Sequence, residues 1–189
     1  MSPQRALDLR LPGTDLVTWI AGISKRLAES GANLLILRGP SEAAYDVADI
    51  QAWSELIEQI EALGAEFRWA ETGPASALLS LVAGRMAPRV VECLRCEVDA
   101  ERLRVVLSNQ VDEWVGLDEP EAQQWPEAWG GSQVSIDLNA IDHLTSRLIN
   151  WLLVISQRLG EGRMRLVGAN SRALAVLRQM RLDHVLHVD

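Results

Sequence analysis

The sequence predicts an α/β protein of two tandem units, each a small sheet with helices packed on it. Three observations predict this. Short apolar runs alternate with stretches whose apolar residues recur at three- and four-residue steps, as strands alternating with helices do. The helical stretches open at capping residues and stop at glycine. The order of elements in residues 1–87 then returns in residues 88–189, so the 189 residues divide into two domains of about 95 each.

In the first unit, Leu16, Trp19, Ile20, Ile23 and Leu27 mark an amphipathic helix that begins at Thr14 or Asp15 and ends at Gly31. Asn33 to Leu37 is a continuous apolar run, read as a buried strand. Ile50, Trp53, Leu56, Ile57, Ile60 and Leu63 repeat the helical spacing up to Gly64, before a second strand in AEFRWA. A third helix follows Gly73-Pro74, with Pro74 at its first position, and Gly84 lies beyond it. The pattern breaks around Gly84 to Pro88, which places the domain boundary there.

The second unit opens with two alternating stretches, Val90 to Val98 and Arg102 to Val111, joined as a hairpin at Asp99-Ala100-Glu101. Residues 112–132 are acidic, carry Trp114, Trp125 and Trp129, and have no clean period, which reads as a loop with one helical turn. Val134 to Leu138 is a strand, Ser146 to Leu159 a helix, Met164 to Val167 a strand, and Ser171 to Met180 a helix capped by Asn170 or Ser171. Val185 to Val188 closes the chain.

The repeat is clearest when Asp46-Val47 is set against Thr145-Ser146, which aligns Trp53 with Leu152, Leu56 with Ile155 and Ile60 with Leu159. A rival register sets LVTWIAGISKRL (16–27) against LINWLLVISQRL (148–159). The first keeps the element order over the longer stretch. The repeat leaves open whether the halves pair within one chain or between the chains of a homodimer.

Composition narrows the function. The net charge of −8 is uneven: residues 90–130 hold ten acidic against three basic groups, residues 131–189 five against seven. An acidic chain lacks the basic face that phosphate neutralisation requires, so nucleic acid is not the expected partner. No signal-peptide pattern and no run of some 18 apolar residues is present, so no membrane insertion is expected. The two cysteines make no disulfide scaffold, in keeping with a cytoplasmic protein.

With the elements placed, residues 134–189 resemble the second half of a STAS domain, the fold of bacterial anti-sigma factor antagonists. That family shows a strand ending Asp-Leu-Ser-Gly-Val, then Asp-Ser-Ser-Gly-Leu opening a helix, a glycine turn, a strand, a capped helix and a Gly-Leu-Asp closing segment. Here the strand reads Ser135-Ile136-Asp137-Leu138-Asn139-Ala140-Ile141, the helix opens Leu144-Thr145-Ser146-Arg147-Leu148, and the end reads Arg181-Leu182-Asp183-His184. Thr145 stands where the family has Asp, and Arg147-Leu148 replaces the Ser-Gly that follows the family's switch serine. The matching stretch of the first unit, Tyr45-Asp46-Val47-Ala48-Asp49-Ile50, keeps the Asp and has Val47 at the serine position, as in a degenerate copy.

The resemblance implies a non-enzymatic, partner-switching protein that binds an anti-sigma factor or serine kinase-like protein, or another signalling protein, and calls for no cofactor. It makes Ser146 the phosphoacceptor candidate. Asp142, His143, Thr145 and Arg147, with Asp46 and Asp49 of the first unit, are the docking candidates. A phosphate on Ser146 would add about 1.5 to 2 negative charges at a helix N-terminus, beside Arg147. If Ser146 only caps the helix, the protein is instead a constitutive adaptor of a transporter or signalling complex.

Two enzyme readings compete. Cys93-Leu-Arg-Cys96 and His184-Val-Leu-His187 supply four metal-ligand types, but cysteines three apart on a strand point to opposite faces. His143 and Asp142 lie near Ser146 in sequence, yet no G-x-S-x-G elbow surrounds the serine. Trp125 and Trp129, with Trp114, are expected to pack across the two halves or to anchor a partner. Arg158, Arg163, Arg165, Arg172, Arg178 and Arg181 form a cationic set, read as a solvated face or a dock for an acidic partner.

Overall fold

The computed structural model describes residues 5–40, 42–71, 73–84, 92–99, 102–112 and 115–189. The chain is α/β, with a three-stranded parallel sheet in the first half and a four-stranded mixed sheet in the second. The first sheet, ordered β1-β2-β3, comprises β1 (Ala6–Arg10), β2 (Leu34–Arg38) and β3 (Glu66–Trp69), linked by helices α1 (Leu16–Ser30) and α2 (Val47–Ala62). α3 (Pro74–Val82) follows. The second sheet, ordered β4-β5-β6-β7, pairs β4 (Leu94–Asp99) antiparallel with β5 (Arg102–Leu107), and continues in parallel through β6 (Val134–Asp137) and β7 (Met164–Val167). Short 3-10 turns and α4 (Pro120–Gln124) join β5 to β6; α5 (Ser146–Leu159) crosses from β6 to β7, and α6 (Ser171–Gln179) follows.

Strand β1 has the two-residue alternation of a one-sided sheet, although it escapes a reading based on longer apolar runs. The register sets Leu7 beside Leu35 and Phe67, and Leu9 beside Leu37 and Trp69, on the face that the helices cover. Its other face carries Asp8 and Arg38, joined by two hydrogen bonds of 3.1 Å. Helix α1 buries Leu16, Ile20, Ile23 and Leu27 at the predicted steps, with Asp15 as its cap and Gly31 in the left-handed region behind it. Trp53 of α2 is fully buried, stacks on Trp69 at 5.8 Å and donates its indole N–H to the Leu79 carbonyl. Truncating such a side chain to alanine costs about 3–5 kcal/mol.

The two halves share one hydrophobic core. Helix α3 is the reason: Ala75 through Leu81 are all buried, so it is enclosed rather than amphipathic. Its neighbours on the second-half side include the turn Trp125–Ala128, α4 and β4. Trp125 is fully buried and Trp129 nearly so, and together with this turn they fill the contact between the halves within a single chain. Trp114 and most of the interval between α3 and β4, including the predicted boundary, lie outside the described residues. Among the described residues no helix is long and apolar enough to cross a membrane.

Candidate functional site

The site is built where β6 gives way to α5. Asp137, the last residue of β6, is 1% exposed. Its carboxylate accepts the Asn139 N–H at 2.8 Å and pairs with Arg104 of β5. Burial pushes this carboxyl up, but the Asn139 N–H and the Arg104 guanidinium outweigh it and hold it below the usual carboxylate range. Asn139 in turn packs over Gly168, where an added Cβ would come within 2.5 Å of its side chain and where φ is +71°. Only glycine meets both demands.

Asn170 fixes the rest of the loop. Its side-chain oxygen caps α6 by accepting the Ala173 N–H at 2.9 Å, and its amide donates to the Ile141 and Asp142 carbonyls at 2.8 and 3.0 Å. Asp142 and His143 are exposed and Leu144 is 9% exposed, which leaves the polar side chains outward over an anchored backbone.

At the start of α5 the hydroxyl pair divides its roles. Thr145 has extended backbone dihedrals and its side chain accepts the Leu148 N–H at 3.2 Å, so Thr145 is the N-cap. Ser146 is the first helical residue, is exposed, and its hydroxyl makes no hydrogen bond among the described residues. Arg147, also exposed, lies 3.9 Å from Asp118. A negative group on Ser146 would meet the positive end of the helix dipole and the unbonded N–H groups of its first turn.

The corresponding turn of the first half has the same spacing from strand to cap. Arg38 ends β2 eight positions before the cap Asp46, and Asp137 ends β6 eight positions before the cap Thr145. Val47 and Ser146 are then both first helical residues, which is the register that aligns Asp46-Val47 with Thr145-Ser146. Helix α1, by contrast, lies between β1 and β2, so its positional counterpart is the segment between β5 and β6 and not α5.

The acidic residues of this first turn are committed to backbone. Asp46 and Asp49 form a capping box, each accepting the other's N–H. Asp49 is 5% exposed and also accepts the Leu16 N–H at 2.6 Å and the Val17 N–H at 3.3 Å, tying α2 to the start of α1. No sequence spacing signals this role, because Leu16 and Asp49 are far apart in the chain. Tyr45 is fully buried, and burial, then the Asp49 charge, push its phenol up; it donates to the Pro12 carbonyl at 2.5 Å.

The segment Ala128 to Gly130 lies against this turn. Tyr45 donates its N–H to the Ala128 carbonyl at 2.9 Å and accepts the Gly130 N–H at 2.7 Å, forming a parallel bridge between Tyr45 and Trp129. Asp49 is buried and committed to backbone N–H groups, whereas Asp46, its partner in the capping box, is exposed.

The remaining sequence-predicted groups disperse. Cys93 is buried, Cys96 lies in β4, and burial pushes both thiols up, Cys96 to about 12. Among the described residues no group of three or more His, Cys, Asp and Glu could hold a metal ion. Arg158 pairs with Glu127, Arg165 with Asp189, and Arg163 donates to the Leu159, Trp129 and Gly131 carbonyls, so half of the cationic set is engaged internally. Arg172, Arg178 and Arg181 are exposed on or just beyond α6. No family model matches the chain, and neither a curated protein nor a solved structure matches it.

Proposed function

We propose that the protein is a non-enzymatic regulatory module of the STAS type, acting like an anti-sigma factor antagonist whose docking turn at Asp142 to Arg147 is switched by phosphorylation of Ser146. The observation that carries this reading is the division of labour at α5. Thr145 performs the capping, which leaves the Ser146 hydroxyl exposed, without a bond among the described residues, and at a helix N-terminus that tolerates added negative charge. The partner in this reading is an anti-sigma factor or serine kinase-like protein, met in the cytoplasm. Phosphate would act by repelling an acidic or apolar partner surface.

The test uses immobilised wild-type, Ser146→Ala and Ser146→Asp proteins in lysate of the native host, with captured proteins quantified by mass spectrometry. A kinase-like or anti-sigma partner retained by the first two and lost from the third is the expected result. The same partners in the same amounts on all three refute the switch and leave a constitutive adaptor.

A further inference from the structure

We infer that the protein associates with itself head to tail, the basic turn after α6 of one copy docking in an acidic, aromatic-lined hollow between α2 and β3 of the next. The inference is independent of the Ser146 reading. Ile57 and Ile60 of α2 and Phe67 and Trp69 of β3 line a hollow of about 340 Å³, with Glu61 and Glu66 beside them. Phe67 and Trp69 are partly exposed, and Leu63, between Glu61 and the strand, is 55% exposed. Residues 47–66 hold five acidic groups and no basic one. Glu66 faces Arg68 at 3.4 Å, an exposed pair of little strength. Glu58 and Glu61 stand near the C-terminus of α2, where the helix dipole disfavours negative charge and the last turn has no basic residue. A cation brought to the hollow relieves that conflict. The aromatic walls select its kind, since a guanidinium stacks on an indole or phenyl face.

The complementary surface lies on the same chain. Residues 171–182 carry Arg172, Arg178 and Arg181 and no acidic residue. Arg178 and Arg181 are exposed and make no ion pair among the described residues. Met180 and Val185, 51% and 52% exposed, give the same turn its apolar contacts, and the unbranched, flexible methionine suits an irregular hollow. Arg181 has φ +58°, at the position after the helix that glycine ordinarily takes. A contact that needs its charge accounts for an arginine held there. Met180 and Val185 remain exposed in the single chain, so a second copy must supply the hollow. Because the two surfaces differ, each docked pair keeps one hollow and one basic turn open, and the assembly is heterologous and grows with concentration.

Sedimentation velocity of the full chain, from micromolar to near-millimolar concentration, tests this. Wild type should gain mass as concentration rises and lose it at high salt, which screens exposed charges. Glu61→Arg with Glu66→Arg reverses the charge beside the hollow. Arg178→Gln with Arg181→Gly removes the cations, and glycine suits the φ of position 181, so the fold is kept. Each double variant alone should associate at least about tenfold more weakly than wild type. Mixed in equal amounts, the two should form a two-chain complex and nothing larger, because one intact hollow then meets one intact basic turn. A wild type that stays monomeric throughout overturns the inference, as does association that either variant leaves unchanged. Variants that keep the wild-type circular dichroism but associate neither alone nor together overturn the head-to-tail geometry.

Discussion

Replacing Thr145 and Ser146 separately by alanine tests the division of labour on which the functional reading stands. Thr145→Ala removes the acceptor of the Leu148 N–H, a 3.2 Å bond at the N-cap, and such a loss costs about 1 kcal/mol, within a range of about 0.5–2. In a chain of 189 residues each kcal/mol displaces the melting temperature by roughly 2–4 °C. Ser146→Ala removes an exposed hydroxyl without a bond from a helical position where alanine has the better propensity, so its effect should lie within about 0.5 kcal/mol of zero. Urea unfolding followed by tryptophan fluorescence measures both, since Trp53, Trp125 and Trp151 are fully buried. Equal destabilisation by the two variants would mean that Ser146 shares the capping, and the argument for a hydroxyl held ready for modification would fail.

Ser146→Asp should stabilise the fold by about 0.3–1 kcal/mol through the helix dipole, and the gain should shrink at high salt in the same unfolding assay. Asp137 has its carboxyl held below the usual range in the fold, so its contribution is present above the ordinary carboxylate pKa and disappears as pH falls through the depressed value. The stability difference between wild type and Asp137→Asn should therefore be largest at neutral pH and narrow on acidification. Gly131→Ala places a methyl group into the Trp129 ring, and equilibrium unfolding should show a loss of about 1–3 kcal/mol from overpacking. Neither Cys93 nor Cys96 should react rapidly with a thiol reagent at pH 8 until the chain is unfolded, because burial raises both thiols; fast labelling of the native protein contradicts this.

The parts of the fold that were legible are those in which local pattern and tertiary burial agree. Helix α5 buries Leu148, Ile149, Leu152, Ile155 and Leu159, the residues its spacing names, and begins at the residue expected from its hydroxyl pair. The choice between Thr145 and Ser146 as cap was not legible, because both residue types accept the same bond and only the backbone dihedrals separate them. Strand β1 is not legible in the sequence, since five residues of alternation in Ala6–Arg10 carry little signal without the neighbouring β2 that pairs with it. Residues 115–128 show no period because they form short turns that contact both α3 and α5 rather than packing along one face. The site divides in the same way: the polar Asp142 to Arg147 turn is legible from its residues, whereas the commitment of Asp49 to the Leu16 amide comes from contact between helices distant in sequence.

Under the proposed function, the bridge between Tyr45 and Trp129 also bears on valency. A protein with two like turns could crosslink its partners, and binding two modules on one chain multiplies affinity through effective concentration. Here Ala128 and Gly130 engage the Tyr45 backbone from within the chain, so under the proposed reading the α5 turn is the single docking point for the switched partner. Under the proposed reading, complexes formed through it would be one-to-one, with a hyperbolic response to partner concentration and no avidity within a single chain.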